Sequence, residues 1–397
     1  MGMTLSGIRV LDLGQIYNGS YCGMLMGYMG AEIIKLEPPF GENLRKRTQG
    51  ETIDSFAFNL VNPNKKGITL NLKHPRGKDI FIELVKQSDV LIENFAAGVM
   101  EQLGLGYEAL GKVNPRLIYA SGKGFGLSGP YKDYLAMDLT VQAMSGIMSV
   151  TGFPDGPPTK CGPALVDFSA GIHLLAGILA ALYQREHTQK GQFVEVSMHD
   201  AVLPTLTSQL EGYFRTGGKI PERTGNRHGG MATAPYSVYQ AKDGHVAIIC
   251  VNNHHWNSLC EIIGRNDLAE DERYSTNLKR CSYVDFIDQE VNRWTSGKTR
   301  FEIREILSEA HVPCAPVMKL AEVVNDPHYI ERGMWQDIDH QQKGRIRVFG
   351  NPIHLSDNDA IPPTAAPLLG QDNVEVYKRL LGIGPEEINA LKSEKVI

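Results

Sequence analysis

The residues best placed to do chemistry lie between positions 151 and 171, where one carboxylate, Asp167, follows a segment dense in glycine and proline. Prolines and glycines at 152–163 exclude regular structure and fix the direction of the chain. Residues 168–183 are apolar and long enough for a buried helix, so the pattern predicts Asp167 at its N-cap. Such an aspartate can simply cap the helix, which contributes about 1 kcal/mol. It can also be a nucleophile whose ionised form the helix start favours.

The sequence lacks the common catalytic motifs. It has no glycine-rich dinucleotide or P-loop fingerprint, no GxSxG elbow and no HExxH pair. His254 and His255 are adjacent and so lack the spacing that puts two ligands on one helix face, and we predict no metal site. The six cysteines are far apart and form no CxxC pair, which is typical of reduced thiols in a cytosolic protein.

Composition narrows the class of protein. The chain has 397 residues, of which 42% are hydrophobic and 21% charged, as in ordinary globular proteins of about two domains. A net charge of −5 without a basic stretch argues against a nucleic-acid partner. The first residues lead directly into a strand, and no apolar run is evident at bilayer length. We therefore expect a cytoplasmic protein with no membrane partner.

The first half of the chain alternates strands with helices. Strands are predicted at 8–13, 33–36, 68–72, 90–92, 117–120 and 192–197, and helices at 20–29, 74–87 and 200–213. Such alternation predicts an α/β domain with a mostly parallel sheet and helices on both faces. Sheets of this kind bind ligands at the carboxyl ends of their strands.

The second half changes in texture. Residues 216–235 are dense in glycine, proline, arginine and histidine, which is typical of a crossing between domains. A hairpin at 236–251 and helices at 256–263, 286–294 and 301–310 predict a smaller α+β unit. A strand at 344–349 and a helix at 373–381 are predicted to return to the first domain. The predicted ranges are therefore 1–215, 225–318 and 320–397.

A series of short motifs carries a family resemblance. They are Glu37-Pro38-Pro39, NKKGITLNLK at 64–73, DVLIENF at 89–95, LGLGY at 103–107, NPRLIYAS at 114–121, QAMSG at 142–146, TGF at 151–153, Pro157-Pro158 and Val166-Asp167. In this order and spacing the chain resembles the family III CoA-transferases, also called the CaiB/BaiF family. The resemblance runs from position 5 to about 200 and resumes near 367–370.

The resemblance implies a fold and a reaction. The fold is a Rossmann-like large domain formed by both chain ends and a small α+β domain, with two chains interlocked as rings in a homodimer. The reaction moves CoA from an acyl-CoA donor to a small carboxylic acid through aspartyl anhydride and aspartyl-CoA thioester intermediates. The CoA thioester is a co-substrate, and no tightly bound cofactor is implied.

Catalytic roles follow from the same resemblance. Asp167 is the implied nucleophile, and Asp138 replaces the family's second carboxylate, a glutamate; it supports the nucleophile, orients a CoA amide or merely caps the next helix. Tyr17 stands where the family has glutamine. Gly229 and Gly230 belong to the implied glycine loop that closes over the intermediate.

CoA-binding residues are also implied by the resemblance. They are Asn18, Leu70, Asn71, Leu72, Lys73, Asn94, Phe95, Gln102, Lys123 and Leu135. Gln102 and Pro38 replace family arginines, so two cationic contacts are absent. The candidates to pair with CoA phosphates instead are Lys73, Arg45, Arg47, Lys123 and Lys65.

The identity of the acids is left open by the sequence. Arg227 and His228, with Lys160, could pair with a distal carboxylate, so we expect a small mono- or dicarboxylate acceptor and acetyl-CoA or succinyl-CoA as donor. Alternatively, Arg227 and His228 form an ordinary basic turn. Two other functions remain possible interpretations: an acyl-CoA epimerase, which in this family uses a histidine where this chain has Met137, and a CoA-binding protein without catalysis.

Overall fold

The computed structural model describes residues 3–46 and 54–397. Strands in these ranges are β1 (Arg9–Asp12), β2 (Glu32–Glu37), β3 (Lys65–Thr69), β4 (Val90–Glu93), β5 (Ile118–Lys123), β6 (Phe193–Ser197), β7 (Tyr236–Ala241), β8 (Gly244–Ile249), β9 (Cys314–Pro316), β10 (Trp335–His340) and β11 (Gly344–Phe349). All the predicted strands are confirmed as strands, although the one predicted at 68–72 lies three residues earlier.

Helices occupy most of the rest. They are α1 (Asn18–Tyr28), α2 (Phe56–Val61), α3 (Pro75–Lys86), α4 (Val99–Gln102), α5 (Tyr107–Val113), α6 (Asp138–Met144), α7 (Ile147–Val150), α8 (Leu165–Thr188), α9 (Met198–Val202), α10 (Thr207–Thr216), α11 (Asn253–Ile262), α12 (Asn266–Glu270), α13 (Asn277–Cys281), α14 (Val284–Thr295), α15 (Arg300–Glu309), α16 (Leu320–Val324), α17 (Pro327–Glu331), α18 (Asn373–Leu381) and α19 (Pro385–Ser393). The single helix predicted at 200–213 is wrong: a 3-10 turn containing Pro204 separates α9 from α10.

Strands β1 to β6 form one parallel sheet in the order β3-β2-β1-β4-β5-β6. The predicted α/β class with a parallel sheet is thereby confirmed. The strand order reverses between β1 and β4, so the chain leaves these two neighbours in opposite directions. A crevice opens at such a switch point, outside the carboxyl ends of the strands, and it is where ligands bind in doubly wound sheets.

The strands are apolar because both faces of this sheet are covered. Adjacent residues of β1 point to opposite faces, so that Leu11 joins a core with helix α3 while Val10 joins a core with helices α1 and α8. Both side chains are fully buried. Burial of each such side chain contributes roughly 1.5–3 kcal/mol, which fixes the sheet against which the loops at its carboxyl edge are placed.

Helix α8 packs closely on α1. A Cβ atom at Gly171 would lie 2.8 Å from the backbone oxygen of Asn18, so only glycine permits this approach. By length and composition α8 could span a membrane, contrary to our expectation from the sequence, but half of its most apolar window is buried in the protein, as in a core helix. It begins at Leu165, so Asp167 lies inside its first turn; the prediction of Asp167 as the N-cap is wrong, and Ala164 holds that position.

The chain divides into two compact units. The first comprises residues 3–46, 54–141, 164–202 and 325–397 of the described chain, and the second comprises 142–163 and 203–324. In the second unit β7, β8 and β9 form an antiparallel sheet, packed by α11, α14 and α15 around the buried Trp256. The domain ranges drawn from the sequence stay a prediction, because a unit that is compact within one chain need not be a domain that folds independently.

Candidate active site

A cavity of ≈ 480 Å³ lies in the first unit at the switch point of the sheet. Its wall is formed by residues at or just beyond the carboxyl ends of β1, β4 and β5, and by the first turn of α8: Gln15, Ile16, Asn94, Phe95, Gly122, Lys123 and Asp167. The lining also includes the large apolar or aromatic side chains of Phe125, Tyr134, Leu135, Met137 and Met198, together with Lys132. The structure therefore brings the predicted nucleophile together with four predicted CoA-binding residues, Asn94, Phe95, Lys123 and Leu135.

Asp167 is positioned by another carboxylate. The N-cap residue of α8, Ala164, offers no side-chain acceptor, and Asp138 supplies one from 28 residues before Val166: its Oδ2 accepts from the N–H of Val166 at 2.9 Å and of Asp167 at 3.2 Å. The side chain of Asp167 remains near the positive end of the helix dipole and is 9% exposed. Asp138 is the first residue of helix α6, yet its side chain caps N–H groups of helix α8.

The two hydrogen bonds that Asp138 accepts should matter for the rate of CoA transfer. Replacing Asp138 with alanine leaves two N–H groups at the start of α8 without their acceptor and is expected to lower kcat about ten- to a hundredfold through misplacement of Asp167. The KM for acyl-CoA should change little. Asp138→Asn keeps an oxygen acceptor and should lose less activity, and Asp133→Ala removes an exposed carboxylate as a control. Equal losses in the alanine and asparagine variants would contradict this role.

Three side chains hold two residues of the cavity wall, Gln15 and Phe95. Asn94 clamps Gln15 from both sides: its Oδ1 accepts from the Gln15 N–H at 2.7 Å, and its Nδ2 donates to the Gln15 oxygen at 2.8 Å. Glu93 accepts from the Phe95 N–H, and Lys123 donates both to Glu93 and to the Phe95 oxygen. The polar side-chain atoms of Asn94 and Lys123 were predicted to contact CoA. In the structure these atoms bind other cavity residues and hold them in position.

The loop between β1 and α1 carries an unusual conformation. Ile16 has φ 60, the left-handed region, which costs a β-branched residue about 1–3 kcal/mol. Its N–H donates to Glu42 Oε2 at 2.9 Å. The ring of Tyr17 stacks on Phe168 with centroids 5.4 Å apart, so this loop lies directly beside the residue that follows Asp167. Tyr17 thus packs against the start of α8 through its aromatic face.

Asn18 begins α1 and is almost completely buried. Both polar atoms of its side chain lack a hydrogen-bond partner within the described part of the chain. A Cβ atom on Gly122 would lie 3.0 Å from each of them, so the amide stands immediately behind a glycine of the cavity wall. Any side chain at position 122 would have to displace this amide.

Most of the predicted phosphate-binding cations lie in buried ion pairs. Lys65 contacts Asp12 at 2.7 Å with both side chains fully buried, and burial lowers the pKa of Lys65 more than Asp12 raises it. Arg45 binds Glu37 and Asp54, each at 2.6 Å. Burial opposes the charge of Arg45, yet its hydrogen bonds with Glu37 and the negative charges of Glu37, Asp54 and Glu42 together outweigh burial and raise its pKa. Arg47 lies outside the described residues.

Lys73 stands apart from this group because it is exposed and lines a second cavity of ≈ 200 Å³. The cavity's other walls are largely apolar and include Pro38, Phe40, Leu70, Asn71, Leu72, Phe95 and Leu103. Gln15 and Phe95 line both cavities, so the two adjoin at this pair. Gln102 is not among the lining residues of either cavity, although its neighbour Leu103 is.

The predicted glycine loop belongs to the second unit. There Arg227 donates to Asp288 at 2.8 Å and to Asp285 at 2.6 Å; burial opposes its charge, but these bonds outweigh burial and raise its pKa. His228 Nδ1 accepts from the N–H groups of Gly230 and Ala232, and burial lowers the pKa of His228. A substrate carboxylate would have to compete with two aspartates for Arg227, and His228 braces the segment that contains Gly229.

Several residues of the site were missed from the sequence. Gln15 and Ile16 line the cavity, and Lys35 and Glu42 hold the loop that carries them. Lys35, within the predicted strand at 33–36, was the available signal for these residues. A lysine in a strand that is covered on both faces requires a buried partner of opposite charge. That signal does not reveal which carboxylate is the partner.

Comparisons with known proteins decide the family. The sequence pattern of "CoA-transferase family III" matches residues 5–373. The chain belongs to CoA-transferase family III. It is 38% identical to the formyl-CoA:oxalate CoA-transferase of Streptomyces coelicolor, with 99% of each chain covered, and 42% identical to the acetyl-CoA:oxalate CoA-transferase of Acetobacter aceti, with 89% of each covered.

A solved structure agrees with this assignment. The crystal structure of a CAIB/BAIF family protein from Brucella suis superposes with a TM-score of 0.82 at 33% identity, covering 96% of this chain and 100% of the other. The predicted resemblance to the CaiB/BaiF family and the predicted enzyme class, a family III CoA-transferase, are therefore confirmed. The roles of individual site residues stay predictions.

Proposed function

We propose that this CoA-transferase moves CoA from a short acyl-CoA to a small dicarboxylate, with Asp167 as the covalent nucleophile. The observation that carries the proposal is the position of Asp167 in the wall of the switch-point cavity, in a helix turn whose N–H groups are held by Asp138. A carboxylate at this position is accessible to a ligand and oriented by its helix turn, as a nucleophile must be.

The steps balance without a redox partner or a metal. A carboxylate oxygen of Asp167 attacks the thioester carbonyl, the C–S bond breaks, and CoA thiolate leaves an acyl-aspartyl anhydride. The thiolate then attacks the aspartyl carbonyl, which releases the donor carboxylate and forms an aspartyl-CoA thioester. The acceptor carboxylate attacks this thioester to give a second anhydride, and the thiolate finally attacks the acceptor's acyl carbon. The products are acceptor-CoA and regenerated Asp167.

The two adjoining cavities suit an elongated co-substrate. The smaller cavity offers apolar walls and Lys73 for the nucleotide end of CoA, and the larger one holds Asp167 for the acyl end. The pantetheine arm would pass Gln15 and Phe95, which line both. Rigid anchoring of both residues by Asn94, Glu93 and Lys123 favours this role, because a preorganised path lowers the entropic cost of binding.

Lys73 allows a test of this orientation. Its replacement by methionine is expected to raise the KM for acyl-CoA about five- to tenfold and to leave kcat unchanged. This loss of binding is larger than that of an exposed charge pair and smaller than that of a buried one. The KM for the same acyl group on pantetheine, which lacks the nucleotide, should not change. Lys66→Met removes an exposed lysine that pairs with Glu375 and serves as control. A proportional rise for both substrates would contradict the orientation.

The acceptor class is inferred from the relatives. Two of them are named for transfer to oxalate, one from formyl-CoA and one from acetyl-CoA. We therefore propose a small dicarboxylate such as oxalate as acceptor and a formyl or acetyl group on the donor. The test is a matrix of formyl-, acetyl- and succinyl-CoA against oxalate and monocarboxylates of increasing length. Activity confined to long apolar acids would overturn the proposal.

An interlocked homodimer and a cytoplasmic location complete the proposal. Light scattering of the purified protein at several concentrations is expected to give twice the 43.8 kDa chain mass without dissociation, since threaded chains cannot separate while folded. Epimerisation is less favoured, because the position of the family's histidine holds Met137, whose thioether in the cavity wall cannot shuttle a proton.

A further inference from the structure

We propose that Ile16 limits the length of the acyl group accepted beside Asp167, and that Glu42 is the positioning residue that holds Ile16 in place. This inference rests on the proposed function, because it concerns the acyl end of the same site.

The conformation of Ile16 is imposed by its surroundings. A β-branched residue seldom adopts φ 60, and it does so stably only where neighbouring contacts determine the backbone. Here the preceding residue, Gln15, is fixed at both its N–H and its oxygen by Asn94, while the N–H of Ile16 itself donates to Glu42. The loop therefore cannot relax toward a commoner conformation without losing several hydrogen bonds.

Glu42 is held equally firmly. It is 2% exposed, and its two oxygens have different partners: Oε1 lies 2.8 Å from Lys35 Nζ, and Oε2 accepts from the Ile16 N–H at 2.9 Å. Lys35 also donates to the oxygen of Gly14 in the same loop. A buried ion pair is weak support for stability alone, so a role in fixing one backbone geometry accounts better for its presence here.

The side chain of Ile16 has the cavity on one side and an apolar cluster on the other. It lines the cavity that contains Asp167. It also packs against the buried cluster of Leu44, Phe58, Val61 and Ala366, against which Phe168 packs as well. Since Phe168 directly follows Asp167, Ile16 stands near the nucleophile. A longer acyl chain would have to displace a branched side chain whose backbone is fixed, so short acyl groups are selected.

The size limit is tested by the acyl-length profile. For Ile16→Ala, the ratio of kcat/KM for butyryl-CoA to that for acetyl-CoA, with one common acceptor, is expected to rise about tenfold or more, the usual discrimination for a methylene in a packed pocket. Ile16→Val keeps the branch at Cβ and should shift the ratio much less. A ratio does not depend on the fraction of active enzyme. An unchanged ratio in Ile16→Ala would overturn the inference.

The role of Glu42 needs a matched pair of variants. Lys35→Met/Glu42→Gln removes both charges but keeps an acceptor for the Ile16 N–H, and it should preserve the wild-type ratio. Lys35→Met/Glu42→Leu removes the acceptor too and should shift the ratio toward that of Ile16→Ala; Glu42→Met replaces Glu42→Leu if the latter chain does not fold. Identical ratios in the two kinds of variant would refute positioning by Glu42. A wild-type protein without CoA transfer would instead refute the proposed function.

Discussion

Replacing Asp167 with alanine is expected to reduce CoA transfer by at least about 10³-fold, a conservative bound given the losses that follow removal of a covalent nucleophile. The physical reason is that no other group in the sequence of steps can form the anhydride and thioester. The measurement is kcat for transfer from acetyl- or formyl-CoA to oxalate. Binding of CoA should persist, because the nucleotide and pantetheine contacts lie elsewhere in the two cavities.

A trapping experiment separates this covalent role from a structural one. Incubation of the wild type with acyl-CoA and hydroxylamine should convert Asp167 to its hydroxamate, identified by mass spectrometry of the peptide. Asp167→Ala should give no hydroxamate, and Asp155→Ala, which removes an exposed carboxylate, should retain both transfer and trapping. If the Asp167→Ala variant transfers CoA at the wild-type rate, the assignment of the nucleophile is wrong.

The sheet was predictable because its strands obey a simple rule. A strand buried on both faces is predominantly apolar, and the segments that include Val10, Ile33 and Val90 are short, mostly apolar runs bounded by turn residues. Their alternation with helices indicates parallel pairing. The third strand was predicted to begin three residues too late in the sequence, because Lys65 and Lys66 are its first residues. Two adjacent lysines do not indicate a buried strand unless the carboxylates that pair with them are known.

The candidate site was predictable only in part. The position of Asp167 near a helix start followed from the glycine- and proline-rich approach, but the helix begins at Leu165 because Asp138, far away in the sequence, supplies the missing cap. Pairings over such separations carry no local signal. The same holds for Glu42 and Ile16, whose contact depends on the course of the chain after β2. A strained residue likewise resembles any other isoleucine in the sequence.

Four buried charged residues share one location. Asp12, Lys35, Glu42 and Lys65 surround the loop after β1, and between them they bind the N–H of Gly14, the oxygen of Gly14, the N–H of Ile16 and the oxygen of Ser20. Each contact restrains a backbone group, so the loop that lines the cavity is rigid. Preorganisation of this kind favours catalysis, since a covalent nucleophile requires its substrate within a narrow range of distances.

Lys65→Met is therefore expected to affect stability far more than substrate binding. The ammonium of Lys65 donates to Asp12, to the oxygen of Ser20 and to Asn62, at 2.7, 2.7 and 2.9 Å. Its removal leaves the buried carboxylate of Asp12 without its cation, which costs about 3–5 kcal/mol of the free energy of unfolding. Urea denaturation followed by circular dichroism measures this loss.

Matched variants show that the loss comes from the unpaired carboxylate. Lys65→Met/Asp12→Asn removes the charge but keeps an acceptor for Gly14, and it should recover much of the lost stability. Lys66→Met, which breaks exposed ion pairs, should cost no more than about 1 kcal/mol. If Lys65 instead bound a CoA phosphate, Lys65→Met would raise the KM for acyl-CoA and leave the urea midpoint unchanged. That result would place Lys65 in the binding site and refute its role as the partner of Asp12. The ammonium group cannot be buried against Asp12 and also be exposed to a CoA phosphate.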